Sequence, residues 1–170
     1  SGVYYRYKDG DVEDLGASGN QSEEVNMSID WVAFKDQFFS SIFEATNSFS
    51  GATLNSVAHA ENDSIIKSVD ASLGVKFNFY QDSRASFVFH FVPNYYYTLE
   101  SYKDKNFTEL LPLGWGIFGW VNKWFIIPVF KYLEAWFSSY GIIILILTLI
   151  IKAVLMPLMY KSYKSQAKMR

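Results

Sequence analysis

The sequence has no cysteine and only two histidines among its 170 residues. Without cysteine there are no disulfides, thiolate metal ligands or thiol catalysis, although this absence does not identify the compartment. His59 is predicted in a loop and His90 on the outward side of a strand, and neither has a partner at ligand spacing. The G-x-G-x-x-G spacing from Gly114 to Gly119 opens an aromatic segment and follows no strand, so its match to a phosphate-binding loop is coincidental. We therefore predict no metal, no cofactor and no enzymatic activity.

Charge is unevenly distributed, although the net charge is only -2. Residues 1–110 carry eight Lys/Arg against 16 Asp/Glu, whereas residues 111–170 carry seven against one, so the two parts are expected to face different surroundings. The basic cluster at the C-terminus directly follows an apolar run, and attraction to anionic lipid explains basic residues at such a position. Nucleic acid is therefore not a predicted partner. The N-terminus has no visible signal peptide, so we expect export of the acidic part to depend on a segment upstream.

Residues 1 to about 107 are predicted to be soluble and mainly β. One strand is expected at 3–7, before a turn at 8–11. Two further strands are expected at 72–79 and 85–92, paired antiparallel around a turn at 81–83. Pro93 ends the second strand. Alternation places one set of apolar residues inward in each strand: Leu73, Val75, Phe77 and Phe79 in the first, and Phe87, Phe89 and Phe91 in the second.

The remaining segments of this region are less regular. Residues 30–43 fit helical spacing, but their aromatic and β-branched content favours a strand. The polar segments 16–26 and 47–63 are predicted to be loops or hairpin tips. Residues 94–107 are predicted to form a helix or helical turn.

Residues 111–137 are rich in aromatic side chains and are interrupted by Gly, Pro and charge. Tryptophan concentrates here, and indole rings favour the headgroup layer of a bilayer. We predict an interfacial amphipathic helix of about three to four turns, with four polar residues toward water: Asn122, Lys123, Lys131 and Glu134. The predicted membrane-interface residues are Trp115, Trp120, Trp124 and Trp136.

Residues 141–160 contain a single charge, and a helix of roughly 20 residues covers the hydrocarbon core of about 30 Å. This segment is predicted to be a transmembrane helix. Basic residues follow it, whereas residues 138–140 are uncharged, so the positive-inside rule places the C-terminus in the cytoplasm and the acidic part outside. The predicted cytoplasmic anchor consists of Lys161, Lys164, Lys168 and Arg170.

Lys152 is the single charge in this span, about 16 Å from its start and close to the midplane. Three explanations are open: a polar cavity used for function, pairing with another span, or snorkelling. The first is favoured because helical side chains tilt toward the N-terminus, here the outer side. Thr148 and Met156, at i-4 and i+4, share the face of Lys152, and methionine adapts to varied apolar partners. Pro157 leaves the Ala153 carbonyl without its helical donor.

The C-terminal segment resembles the YidC-type bacterial membrane protein insertases, over LPLGWGIFGWVNKWFIIPVFKYLEAWFSSYGIIILILTLIIKAVLMPLMYKSYKSQAKMR. In that family this stretch joins a periplasmic domain to the first helix of the insertase core. The segments WVAFKDQFF and YYRYKDGDV resemble the periplasmic part in a Bacteroidetes-like variety. The resemblance covers nearly the whole chain and implies a fragment holding the later part of the periplasmic domain and the first core transmembrane helix.

The resemblance implies a membrane protein insertase and chaperone of the bacterial inner membrane. A basic residue in this span of the family lies in a hydrophilic groove, and the matching position is Lys152, which with Thr148 and Met156 forms the expected client-binding site. The implied partners are nascent membrane proteins as clients and the lipid bilayer, together with the Sec translocon and the ribosome.

The predicted fold is mixed, mainly a β-sandwich fragment followed by an interfacial amphipathic helix and one transmembrane helix. We expect a periplasmic part at 1–107, an interfacial aromatic region at 108–139, the span at 140–160, and the start of a cytoplasmic basic helical segment at 161–170. The alternative is a periplasmic binding domain, for carbohydrate or protein, that a single span anchors. In that alternative Lys152 is incidental.

Overall fold

The computed structural model describes residues 2–16, 19–59, 65–77 and 84–168. The chain divides into two compact units, Ser1–Leu111 and Pro112–Arg170. The first unit is built from antiparallel strands and the second from helices.

Eight strands form two antiparallel sheets in the first unit. The strands are β1 (Gly2–Tyr7), β2 (Val12–Asp14), β3 (Gln21–Val25), β4 (Ile29–Lys35), β5 (Phe39–Phe49), β6 (Gly51–Ala58), β7 (Lys67–Gly74) and β8 (Phe87–Pro93). The larger sheet has the order β2-β1-β4-β5-β8, and the smaller has the order β3-β6-β7.

The two sheets face each other across one hydrophobic core. The larger sheet contributes Val3, Tyr5, Val32 and Phe49, and the smaller contributes Val25, Ala52 and Leu54. Such burial from two inner faces is what defines a sandwich. The prediction of a mainly β sandwich is confirmed.

A helical layer covers the opposite face of the larger sheet. It consists of α1 (Tyr96–Glu100) and two 3-10 turns, Lys103–Lys105 and Phe107–Leu110. Leu99, Phe107 and Leu110 are fully buried against a second core, which Trp31, Ala33, Ile42 and Val92 form on the sheet. The indole Nε1 of Trp31 donates to the carbonyl oxygen of Lys105 at 2.9 Å, which ties this layer to β4. The helical segment predicted at 94–107 is therefore confirmed.

Two strand predictions are confirmed by these elements. The strand at 3–7 is β1, and a turn follows it at 8–10. Residues 30–43 are extended as expected, but they form parts of β4 and β5 with a turn between them, where the Asp36 amide donates to the carbonyl of Phe39 at 2.9 Å.

The strand predicted at 72–79 is misplaced. The observed strand is β7, Lys67–Gly74, and it pairs with β6, so the predicted pairing with β8 is wrong. Alternation still packs Val69, Ala71 and Leu73 against the core, while Phe77 is half exposed beyond the strand end. Phe79 and the predicted turn at 81–83 lie outside the described residues.

The more deeply buried side of β8 is not the side that was predicted to face inward. Val92 is buried and His90 partly buried beneath the helical layer, whereas the phenylalanines point to the other face. On that face Phe87 stacks on Phe43 and Phe49 of β5 at the edge of the core between the sheets, but Phe87 is still 43% exposed and Phe91 is 76% exposed. The helical layer, not side-chain hydrophobicity, determines which side of this edge strand is buried.

The two polar segments predicted as loops are largely strands. They contain β3, the end of β5 and β6. In β6 the apolar residues Ala52 and Leu54 face the core. On the outer face Ser22 donates to Asn55 at 2.7 Å, and Asn55 donates to Asp70 at 2.8 Å. These cross-strand hydrogen bonds account for strands in a sequence of small polar residues.

The second unit is helical throughout most of its length. It contains α2 (Gly116–Val121), a π-helical segment (Asn122–Ile126), α3 (Ile127–Glu134) and α4 (Tyr140–Lys168). The helix predicted within 111–137 is thus present, but it is longer than the predicted three to four turns and has a π turn in its middle. Pro128 follows that turn and has no N–H to donate to the Trp124 carbonyl, which favours a local departure from α-helical hydrogen bonding.

Candidate functional site

α4 is long and apolar enough to cross a membrane. Residues Tyr140–Lys161 have a mean hydropathy of 2.8, and a helix of that length extends about 33 Å. It is the one helix of this kind among the described residues. The predicted span at 141–160 agrees with it.

Between Ile143 and Ile151, one side of α4 packs within its own unit, whereas the described side chains from Lys152 onward are exposed on all sides. Ile143 is fully buried, and four further residues are partly buried: Ile146, Leu147, Ile150 and Ile151. At 100° per residue these positions lie on the side of the helix away from Lys152. Lys152 is exposed, as are Thr148 and Met156, the latter by 70%.

The three predicted groove residues therefore share one uncovered face of α4. Thr148 lies one turn before Lys152, and its hydroxyl donates to the carbonyl oxygen of Ile144 at 2.7 Å. Met156 lies one turn after Lys152, and Met159 and Tyr160 extend the same exposed side. Pro157 lies inside the helix, close to these residues. This face combines an ammonium, a hydroxyl and polarisable thioethers in an otherwise aliphatic helix.

The four predicted interface tryptophans occupy different environments. Trp120 and Trp124 line an apolar groove of about 360 Å³ together with Ile151, Val154 and Leu155 of α4. Trp115 precedes α2 and is 89% exposed, whereas Trp136 follows α3 and its ring lies 6.0 Å from that of Tyr132. The structure brings two of the four together and leaves the other two apart.

The polar residues predicted toward water in this region have mixed surroundings. Lys123 and Lys131 are exposed. Asn122 is partly buried and donates from Nδ2 to the Leu113 carbonyl oxygen at 2.7 Å. Glu134 accepts a hydrogen bond from the Tyr140 hydroxyl at 3.1 Å, which links α3 to the start of α4.

The predicted cytoplasmic anchor is only partly described. Lys161 and Lys164 are exposed on α4, which continues without a break through Lys168. The side chain of Lys168 and the whole of Arg170 lie outside the described part of the chain. The basic residues that are described extend the same helix that carries Lys152.

A second polar cluster, in the first unit, was missed by the sequence analysis. Nε2 of His90 lies 2.9 Å from Oε2 of Glu44, and Nζ of Lys105 contacts Oε1 of the same carboxylate. Only 13% of each of the Glu44 and His90 side chains is exposed, and the His90 ring meets Tyr102 and Phe107 edge-on. His90 is thus inward, contrary to the prediction. One feature of the sequence could have indicated this cluster. His90 lies on the same side of its strand as Val92, and Glu44 lies on the same side of its strand as Ile42.

Electrostatics in this cluster favour an ionised glutamate. Burial opposes ionisation of the Glu44 carboxyl, but its contacts with Lys105 and His90 outweigh burial and hold the pKa below its usual value of 4.5. The cluster joins β5, β8 and the helical layer. Within the described ranges no three His, Cys, Asp or Glu residues converge as metal ligands.

Comparison with known proteins identifies relatives of both units. Residues 132–170 match the family of the 60Kd inner membrane protein. The chain is 38% identical over 173 residues to the membrane protein insertase YidC of Parabacteroides distasonis, which covers 98% of this chain and 27% of that relative. The YidC insertase of Bacteroides fragilis is 38% identical over 172 residues, covering 98% of the chain and 28% of the relative.

A more distant relative gives the same result. The YidC insertase of Porphyromonas gingivalis is 34% identical over 177 residues, covering 99% of this chain and 28% of the relative. The chain spans about a quarter of the length of the curated relatives it matches. The family recognised from the sequence is confirmed: over nearly its whole length, this chain is a relative of one segment of the Bacteroidetes YidC-type membrane protein insertases.

Proposed function

We propose that this chain acts as part of a membrane protein insertase and chaperone, in which the Lys152 face of α4 binds client polypeptides. The observation that carries the proposal is that Thr148, Lys152 and Met156 lie together on one exposed side of an apolar helix, whose opposite side is packed or partly packed between Ile143 and Ile151. The relatives described above are insertases by name, which supports the same function. The bacterial inner membrane is the matching location.

A lysine near the middle of a span needs a polar environment to be tolerated. Its insertion at the helix centre costs about 3 kcal/mol, so the exposed face is expected to line a hydrophilic groove completed by further helices. In that groove the ammonium attracts the polar, often acidic, segment of a client. The polar path across the bilayer is thereby shortened, and the apolar segment of the client then moves along α4 into lipid. No covalent bond is made or broken.

Orientation follows from the charges that flank the span. Lys161 and Lys164 lie at its C-terminal end, so this end is placed in the cytoplasm and residues 1–139 in the periplasm. Nascent membrane proteins and the bilayer are then the direct partners. The Sec translocon and the ribosome are proposed as further partners, because clients must be delivered to the groove.

Substitution of Lys152 in a full-length insertase carrying this segment tests the proposal. Lys152→Leu removes the charge, whereas Lys152→Arg keeps it. We expect the leucine variant to lose about tenfold or more in the insertion of clients with acidic translocated segments, since a loss of about 1.4 kcal/mol is tenfold. The arginine variant should retain insertion. Insertion is measured by protease protection of a tagged client in inverted vesicles.

The matched control is Val154→Leu, an apolar exchange two residues away on a different side of α4. It should insert clients at the parental rate. Equal insertion by the Lys152→Leu variant and the parent for every client tested would contradict the electrostatic part of the proposal.

A further inference from the structure

We propose that a pocket in the first unit binds acidic peptide segments. The pocket has a volume of about 530 Å³ and lies between the end of β5, the residues that follow β7 and the residues that lead into β8. Its size is that of an ordinary ligand site, for which the usual range is about 300 to 1,000 Å³. The pocket belongs to the β unit, so binding there does not depend on Lys152.

The charge of the pocket is opposite to that of the unit around it. Residues 1–110 carry eight Lys/Arg against 16 Asp/Glu, yet two of these cations, Lys76 and Arg84, line the pocket and no described lining residue is acidic. Neither cation pairs with a carboxylate of the described residues. The carboxylate of Glu44, beside the lining residue Ala45, contacts the opposite side of β5. A positive pocket in an acidic unit favours an anionic ligand.

An aromatic wall accompanies the two cations. The rings of Phe49 and Phe87 stack with their centroids 6.0 Å apart and their planes 11° from parallel. Phe87 is 43% exposed and Phe77, on the neighbouring segment, is 51% exposed. This wall offers an apolar surface on which an aromatic or aliphatic group of a ligand can pack. A ligand that uses the whole pocket therefore has an apolar group beside its negative charge.

The remaining lining is neutral and polar. Hydroxyl and amide side chains both donate and accept hydrogen bonds, which matches the N–H and C=O of a peptide backbone. Ser48 is already engaged, because its hydroxyl donates to Oδ1 of Asp30 at 2.8 Å. A free phosphate would use only the cations, whereas an acidic peptide with an apolar side chain also uses the aromatic wall and the polar groups. The neutral polar residues other than Ser48 are Ser28, Asn47, Ser50 and Ser86.

Binding of a short peptide to a full-length insertase that carries this segment, in detergent, tests the inference. The probe is acetyl-Glu-Phe-Glu-amide, and its neutral counterpart is acetyl-Gln-Phe-Gln-amide. Saturation-transfer NMR of the phenylalanine ring protons detects weak binding, and a titration gives the Kd. We expect the acidic peptide to bind about tenfold more tightly than the neutral one. Because both cations are exposed, its binding should weaken as salt is raised.

Charge-removing variants assign the binding to the pocket. Lys76→Gln and Arg84→Gln should each raise the Kd of the acidic peptide about threefold, and the double variant should raise it about tenfold. Lys103→Gln is the matched control, because Lys103 is exposed in the helical layer, on the opposite face of the larger sheet. The control should bind the acidic peptide as the parent does. The neutral peptide should bind equally to all of these proteins.

A double variant that binds the acidic peptide as tightly as the parent would overturn the inference. So would displacement of the peptide by an equal concentration of inorganic phosphate or of dihexanoylphosphatidylglycerol, because the pocket would then select an anion or a lipid headgroup. Lys152→Leu separates this site from the client-binding face of α4. Binding lost only in Lys152→Leu would support the proposed function and overturn the pocket, whereas binding lost only in the double variant would support the pocket whatever Lys152 does.

Discussion

At the scale of single residues, the clearest electrostatic feature outside the span is the carboxylate of Glu44. It is held between Lys105 of the helical layer and His90 of β8. Neither partner comes from a neighbouring position in the sequence, so the three groups meet only when the sheet and the layer are both formed. The cluster therefore links three elements through one ionised group.

The depressed pKa of Glu44 predicts how stability varies with pH. The unfolded carboxyl has the usual value of 4.5, and the folded one lies below it. The stabilisation is therefore fully present above about pH 4.5 and is lost as the pH falls through the folded pKa. We expect Glu44→Gln to lower the free energy of unfolding by about 2 kcal/mol at neutral pH, because it leaves Lys105 and His90 without their acceptor charge. The decrease in the free energy of unfolding caused by Glu44→Gln should be smaller at pH 3.

Thermal unfolding of the intact chain in detergent, followed by near-ultraviolet circular dichroism, measures this difference. Glu24→Gln is the matched control, because Glu24 is exposed on β3. The control should unfold as the parent does at both pH values. A Glu44→Gln variant as stable as the parent at neutral pH would contradict the assigned role.

At the scale of elements, a close backbone approach explains the glycines at the start of α2. A Cβ built on Gly119 would lie 2.3 Å from the carbonyl oxygen of Gly114, which is closer than atoms can pack. Gly114 itself has a φ of 88°, a conformation that suits glycine. The spacing of these glycines thus has a structural reason: it lets residues 113–116 fold back on the first turn of α2.

Gly119→Ala is therefore expected to disrupt this fold-back and to cost about 2 to 3 kcal/mol, since the obstacle is rigid backbone. Gly141→Ala is the matched control, because its nearest neighbour would be the Ser139 hydroxyl at an ordinary 3.8 Å. Limited proteolysis of the intact chain in detergent should cut residues 112–118 faster in Gly119→Ala alone. Equal cleavage in both variants would contradict the predicted clash between an alanine at position 119 and the Gly114 carbonyl.

The sequence predicted an element correctly where a local pattern of side chains is enough to specify it. β1 and the apolar run of α4 were found because aromatic alternation and hydropathy do not depend on distant residues. β3 and β6 were missed because their small polar side chains bond across strands on the outer face, as Ser22 and Asn55 do. The phase of β8 was reversed because the covering layer, which includes Phe107, comes from later in the chain.

The same distinction applies to the candidate site. Thr148, Lys152 and Met156 were placed on one face because helical periodicity is local. The pairing of Glu44 with His90 and Lys105 depends on sheet order and on a helical layer, neither of which any local pattern encodes. The sequence also gives no sign that Trp120 and Trp124 line a groove with α4.

At the scale of the whole molecule, the two compact units coincide with the division of charge. The acidic β unit ends at Leu111, and the helical unit begins at Pro112, close to the point at which the charge changes sign. An acidic unit followed by an apolar span with basic residues beyond it is the arrangement that the positive-inside rule orients. The charges thus predict opposite sides of the membrane for the β unit and for the end of α4.

This orientation predicts opposite labelling of two engineered cysteines. Glu24→Cys lies on the exposed surface of β3, and Lys164→Cys lies near the end of α4. In a full-length insertase without other cysteines, an impermeant maleimide should modify position 24 in intact cells with a permeabilised outer membrane. Position 164 should react only after the inner membrane is disrupted. Modification of both positions from the same side would refute the proposed orientation, and with it the direction in which clients move past Lys152.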